Sequence, residues 1–266
     1  MVYIASFVGP NCLGNVHEVT SYEHTLPDLP ASESLDTIRV ELAIKPDVDF
    51  AETRFSRAGH WIQHCGSGTL AAAYALLGMA QAPKIKALQT LYETLPIRMH
   101  EGLCAYCAQA PGLRTAGVNA LAVDALGAVP QSCWQTPDGA YQIWVYSDFG
   151  VVKGLTPDFA LLKQVAQCSW IVTAPGRDTG AVTSDYVLRY FTPAYGTPED
   201  AATGSANVLL GAYWQYTLRK FYVTGRQLSR HGGCFGVQAA EKTMLESLER
   251  ANLQWISGEA KWQGSF

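Results

Sequence analysis

Hydrophobic and polar positions alternate at period two through residues 37–44 (Thr-Ile-Arg-Val-Glu-Leu-Ala-Ile). That is the pattern of a half-buried strand, and it puts Glu41 on the exposed face. Runs at residues 2–8, 15–20, 85–92, 141–146 and 170–174 predict further strands, and residues 97–100 with 103–108 predict a hairpin. Residues 118–126 and 157–165 predict helices, the second opened by Pro157, a residue suited to a first helical turn. The tail returns to short strands at residues 235–238 and 253–258. Strands and helices mixed without a regular βαβ rhythm indicate an α+β fold rather than a doubly wound sheet.

One pattern occurs twice. Cys65-Gly66-Ser67-Gly68-Thr69-Leu70 runs into an alanine-rich apolar stretch, and Asp200-Ala201-Ala202-Thr203-Gly204-Ser205-Ala206 runs into Val208, Leu209 and Leu210. Each is a small-residue turn opening a helix, and each follows a strand-like run. The first N–H groups of a helix lack partners inside it and favour an anion. Glycine lets that backbone approach a ligand. Ordinary capping by Ser or Thr explains either copy alone. Two copies in matching contexts point to a duplicated fold with a small carboxylate held between them. Pro111-Gly112 is the candidate linker, dividing the chain into residues 1–112 and 113–266, with the last strands able to return to the first half.

Composition narrows the class without choosing the chemistry. The chain has 266 residues, 48% hydrophobic and 16% charged, and a formal net charge of -4. No basic block is present, which argues against nucleic acid as a partner. The apolar runs are too short for a membrane span of ~20 residues. The first residues carry no basic segment of a secretory signal. The seven cysteines show no disulfide framework, so the expectation is a cytoplasmic protein with reduced thiols. Cys104 and Cys107 form a lone C-x-x-C read as buried structural thiols, and the histidines show no metal-ligand spacing.

The second motif carries a family resemblance. Arg189-Tyr190-Phe191-Thr192-Pro193, then Gly196, then Glu199-Asp200-Ala201-Ala202-Thr203-Gly204-Ser205-Ala206, resembles the R-x-F-x-P…G…E-D-x-x-T-G-S-A signature of the PhzF-like (phenazine biosynthesis-like) isomerases. Residues 65–70 stand where that family has C-G-H-A-T-L. Gly14-Asn15 matches its G-N-P element, and residues 227–233 resemble its late Q-x-S-x-R-G-G segment. The resemblance spans nearly the whole chain. It implies a diaminopimelate-epimerase-like fold, in which two pseudo-symmetric halves, each a curled mixed sheet around a central helix, enclose a cleft. It also implies a homodimer, and a cofactor-independent isomerase that shifts a proton within a small carboxylate-bearing metabolite.

By that resemblance Asp200 positions the substrate or shuttles a proton and Ser205 contacts it. Gly66, Ser67, Gly68, Thr69, Thr203 and Gly204 would complete the substrate-binding set. Cys65 is a second catalytic candidate, since a helix start favours a thiolate. The other cysteine of related epimerases and racemases would align with Ala201, which moves no proton. Ser67 replaces the family's histidine, and a hydroxyl is no acid or base near neutral pH. The family's catalytic glutamate has no intact segment here. Asp36, in Ser34-Leu35-Asp36-Thr37-Ile38, is its nearest counterpart and Glu41 the next. His60 and His64, flanking the first motif, are further acid/base candidates. Three readings stay open: the isomerase, a cysteine-dependent epimerase or racemase using Cys65, and a catalytically lapsed metabolite-binding protein.

Overall fold

The computed structural model describes residues 1–28, 37–80, 84–177, 183–241 and 245–265. Its first half comprises β1 (Val2–Val8), β2 (Asn15–Tyr22), β3 (Ile38–Ile44), β4 (Phe50–Arg57), β5 (His60–Ile62), α1 (Gly66–Ala73), β6 (Ala87–Gln89), β7 (Thr94–His100) and β8 (Leu103–Ala110). Next come β9 (Arg114–Ala116), α2 (Ala120–Leu126), β10 (Ser132–Gln135), β11 (Tyr141–Val145), α3 (Phe149–Gly154), α4 (Phe159–Val165), β12 (Ser169–Pro175) and β13 (Tyr186–Thr192). The chain ends with β14 (Thr197–Glu199), α5 (Gly204–Leu218), β15 (Tyr222–Gln227), β16 (Gly233–Ala239) and β17 (Asn252–Ser265).

Strand pairing shows the duplication directly. In the first half β1–β2 is antiparallel, β2–β3 parallel, β3–β4 antiparallel, β4–β6 parallel, and β6–β7–β8 antiparallel. The second half repeats the series: β10–β11 antiparallel, β11–β12 parallel, β12–β13 antiparallel, β13–β15 parallel, and β15–β16–β17 antiparallel. A short strand follows the fourth position in both, and then the helix. The long β17 joins the halves: its start pairs with β16 and β8, and its end pairs with β1.

Helices α1 and α5 are the hubs. Every residue from Ser67 to Ala73 is buried, as are eleven of the fifteen residues of α5. A helix apolar on all sides belongs at the centre of a core rather than on its surface. Asn207 of α5, fully buried, accepts from the Tyr186 hydroxyl at 2.6 Å and donates to the Thr203 carbonyl at 2.7 Å. The Thr69 hydroxyl makes the equivalent bond in α1, to the Cys65 carbonyl at 2.8 Å. Both helix starts are thus held by a side chain one turn further on. No described helix is long and apolar enough to cross a membrane.

Several local expectations change: the helix expected at 157–165 opens at Phe159 with Asp158, not Pro157, at its cap, and the short tail strand expected at 253–258 runs from Asn252 to Ser265. Only Ala87–Gln89 of residues 85–92 forms a strand, because the Thr90 hydroxyl accepts from the backbone N–H groups of Tyr92 and Glu93 and turns the chain. Glu41 is fully buried rather than exposed: both faces of β3 are covered. Its polar neighbours are Tyr22, Arg39 and Arg54, and Arg39 also pairs with Glu18 at 2.6 Å. Burial raises the Glu41 carboxyl above its ordinary 4.5, against the pull of the two arginines and with the help of Glu18.

A raised carboxyl favours folding most when protonated, so this contribution is full below the unfolded value and is lost as pH rises through the folded one. Glu41→Gln is expected to melt above the parent at neutral pH and to match it below pH 4.5. Melting curves across that range check the sign.

Candidate functional site

The two predicted helix starts meet. A Cβ built on Gly66 would lie 2.8 Å from the Gly204 Cα, and one on Gly204 would lie 2.9 Å from the Gly66 Cα. Either would also stand 2.4 Å from the Tyr106 hydroxyl. Only glycine permits this approach. Tyr106, on β8, is buried and its hydroxyl has no hydrogen-bond partner among the described residues.

Cys65 caps α1 and Thr203 caps α5. The residue related to Cys65 by the duplication is therefore Thr203, not Ala201. The expectation misplaced it because the flanking loops differ while the helix starts superpose by role. Ala201 instead offers its carbonyl to the Ser229 hydroxyl at 2.5 Å.

Asp200 is not a capping carboxylate either. Its Oδ2 accepts from the Thr203 hydroxyl at 2.5 Å and its Oδ1 from Asn15 Nδ2 at 3.4 Å. Asn15, at the start of β2 in the other half, also donates to the Ala202 carbonyl at 2.9 Å and to the Ser67 hydroxyl at 3.4 Å. Gln227 completes the frame: its Nε2 donates to the Asp200 carbonyl at 2.7 Å and its Oε1 accepts from the Thr203 N–H at 2.8 Å. Three segments distant in sequence, around Asn15, Asp200 and Gln227, thus meet at this loop. Since Thr203 makes no side-chain cap bond, the donors at the start of α5 are not consumed by their own cap.

A cleft of about 160 Å³ opens on this junction. Cys65, Gly66, Ser67, Asp200, Thr203, Gly204 and Ser205 line it, together with Ile38, Arg57, His64, Tyr190 and Thr197. Arg57 Nη1 donates to the Thr197 hydroxyl at 3.1 Å, and both residues line the cleft. Gly68 does not line the cleft: its N–H donates to Cys65 Sγ at 3.3 Å, and a Cβ built on it would meet the Phe55 ring at 2.9 Å. Thr69, its hydroxyl already bonded, lines a neighbouring cavity of about 200 Å³ with Tyr106, Tyr141, Leu95 and Val208. Asp36 lies outside the described residues, two positions ahead of Ile38.

The thiol of Cys65 departs from expectation. Burial pushes it up to about 11, more than the hydrogen bonds from Ser67 and the Gly68 N–H lower it, and the nearby Asp200 charge adds to the rise. A helix start activates a cysteine that keeps contact with water; here desolvation dominates. His64 is half-exposed and pairs through Nδ1 with Glu93 at 2.8 Å, which raises its affinity for a proton. His60 is exposed. Cys104 and Cys107 are buried in β8, with the Cys104 thiol 3.0 Å from Met99 Sδ.

Sequence reasoning passed over Arg57, Tyr190, Thr197 and Tyr106 as site residues. Arg57 and Tyr190 stood in the strand-like runs before each motif, which was the one available signal. Arg189, beside Tyr190 in the second signature, is structural: it pairs with both Glu199 carboxylate oxygens at 2.8 and 2.9 Å and bonds the Leu155 carbonyl.

Residues 51–244 match the profile of the phenazine biosynthesis-like proteins. The chain belongs to that family. An uncharacterized isomerase of Pseudomonas aeruginosa is 31% identical over 173 residues, covering 64% of this chain and 62% of that protein. A second one from the same bacterium is 29% identical over 259 residues, 87% of each chain. The crystal structure of a PhzF-family protein from Enterococcus faecalis superposes with a TM-score of 0.83 at 23% identity, covering 98% of this chain and 95% of that one. A hydroxyproline epimerase of Agrobacterium vitis superposes at 0.58 with 11% identity, over 99% and 90%. These likenesses establish the diaminopimelate-epimerase-like fold for this member of the family.

Proposed function

We propose that this protein is an isomerase that moves a proton within a small carboxylate-bearing metabolite bound at the junction of α1 and α5, using its own side chains without metal or organic cofactor. The observation that carries this reading is the Asp200 carboxylate, held from both halves by Thr203 and Asn15 beside two glycine-walled helix starts. Backbone N–H groups at such starts favour the substrate's carboxylate, and Arg57 adds a positive charge at the rim. Asp200 stands beside them as the group that takes or returns the proton. Asp36 is the second acid in this reading, on the family resemblance alone.

A racemase built on Cys65 is the weaker reading. With its proton held up to about 11, the thiol supplies on the order of one thiolate in 10⁴ molecules at neutral pH. Its partner by symmetry, Thr203, is a hydroxyl already donating to Asp200. The test is incubation in D₂O with a panel of small mono- and dicarboxylic acids, followed by mass spectrometry and proton NMR. Incorporation of one deuterium by at least one acid, retained in Cys65→Ser, is the expected result. Loss of exchange in Cys65→Ser would transfer the chemistry to the thiol. Binding without exchange across the panel would leave a metabolite-binding protein.

A further inference from the structure

We propose that Cys12 and Cys234 are a redox-modification site, closing to a reversible disulfide that ties the two halves together beside the Asp200 loop. Cys12 lies in the turn between β1 and β2, and Cys234 is the second residue of β16. Their sulfurs are 2.9 Å apart although 222 positions separate them in the chain. Bond formation at ~2.05 Å needs the sulfurs to move by only about 0.9 Å. Among the described residues no other two thiols are in contact; Cys104, for example, points at a methionine.

The surroundings are built for the pair. Gly9 and Cys12 exchange both backbone hydrogen bonds, at 3.1 and 2.9 Å, which fixes the turn. A Cβ on Gly9 would come 2.7 Å from Cys234 Sγ, so glycine is what lets that sulfur in. The N–H groups of Leu13 and Gly14 donate to the His231 and Gly232 carbonyls at 2.7 and 3.1 Å. The two segments are therefore already in register before any S–S bond forms. The Cys234 thiol donates to Cys12, and this bond together with Arg226 lowers the Cys12 proton affinity; the same bond and burial raise that of Cys234. A thiol of lowered proton affinity touching a second thiol, near a guanidinium, is the arrangement that oxidises selectively.

The oxidant is a peroxide. One sulfur attacks a peroxide oxygen and keeps it as a sulfenic acid, the O–O bond breaks, and the other oxygen takes up the thiol proton and leaves as water. The second sulfur attacks the sulfenic sulfur, the S–S bond forms, and the hydroxyl leaves as water with the remaining thiol proton. Two thiols lose two electrons and two protons, and one hydrogen peroxide becomes two waters. Cys234 is partly exposed, which admits so small an oxidant.

The link would join two segments that hold the site. Asn15, three residues after Cys12, bonds Ala202 and Asp200. Ser229, which bonds Ala201, also accepts from the Gly232 N–H at 3.1 Å, just ahead of Cys234.

The full-length protein, treated with hydrogen peroxide and then alkylated, checks this by peptide mass spectrometry. Expected is a fall of two from the seven free thiols, one cross-linked peptide pair carrying Cys12 and Cys234, and full recovery with dithiothreitol. Cys12→Ser and Cys234→Ser, near-isosteric changes, should each keep the fold by circular dichroism and lose the cross-link. The oxidised parent should melt above the reduced parent, with no such difference in either variant. Continued alkylation of both residues, or their oxidation to sulfinic acid without a cross-link, would overturn the proposal.

Discussion

Asp200→Asn is expected to abolish proton exchange while leaving the protein folded. The amide keeps the shape of the carboxylate and can still accept from the Thr203 hydroxyl, but it can neither take nor return a proton. Removal of a positioned acid/base group lowers such rates by about 10²–10⁴-fold. The second amide position would face Asn15 Nδ2 as donor against donor, a loss of about 1 kcal/mol of stability. Exchange measured in D₂O with whichever acid the parent turns over, beside a melting curve, separates the two effects. Asn15→Ala serves as a control: it loosens the Ala202 carbonyl and Asp200 together and should weaken exchange less than Asp200→Asn does. Undiminished exchange in Asp200→Asn would remove this carboxylate from the mechanism and leave Asp36 as the family-derived acid.

The second large effect falls on the helix junction. Gly66→Ala forces a methyl group into the space between Tyr106 and Gly204, at 2.4 and 2.8 Å. Overpacking a closed core costs typically about 1–3 kcal/mol, and here the relief available is separation of the two helix starts, which also pulls apart the proposed substrate site. Gly204→Ala should behave alike, since its Cβ meets the same two neighbours. Tyr106→Phe removes a buried hydroxyl that has no partner among the described residues, so it should be neutral or stabilising by roughly 1 kcal/mol. It should also recover part of the loss in Gly66→Ala. The double-mutant cycle reads that coupling directly. Additive losses in the cycle would mean that the hydroxyl is not what Gly66 accommodates.

These predictions divide by what a sequence can carry. The helix starts at Gly66 and Gly204 are local events: a capping residue, a glycine and an apolar run specify them, and the structure has both. Repetition of the motif in two halves announced the duplication because each copy is a complete strand–turn–helix unit. The family signature around residues 189–206 was legible for the same reason. The lone C-x-x-C reads as a pair of buried thiols, and both lie buried in one strand.

What lay beyond the sequence depends on neighbours distant in the chain. Alternation along β3 describes one face buried and one exposed; it cannot tell that a second layer covers the other face, and so it put Glu41 in water. A helix start lowers a thiol's proton affinity, but whether burial reverses the sign is decided by the packing around Cys65. The equivalence of Cys65 with Thr203 needed the two caps to be compared as caps rather than as aligned letters. Asn15, Arg57, Asp200 and Gln227 are each ordinary residues where they stand in the chain. Pairing of β2, β4, β13 and β15 into two similar halves, joined by β17, turns them toward one point. Local chemistry determined that this protein has two anion-favouring helix starts; only the tertiary structure decided that they touch, because their contact is made by elements that share no local sequence.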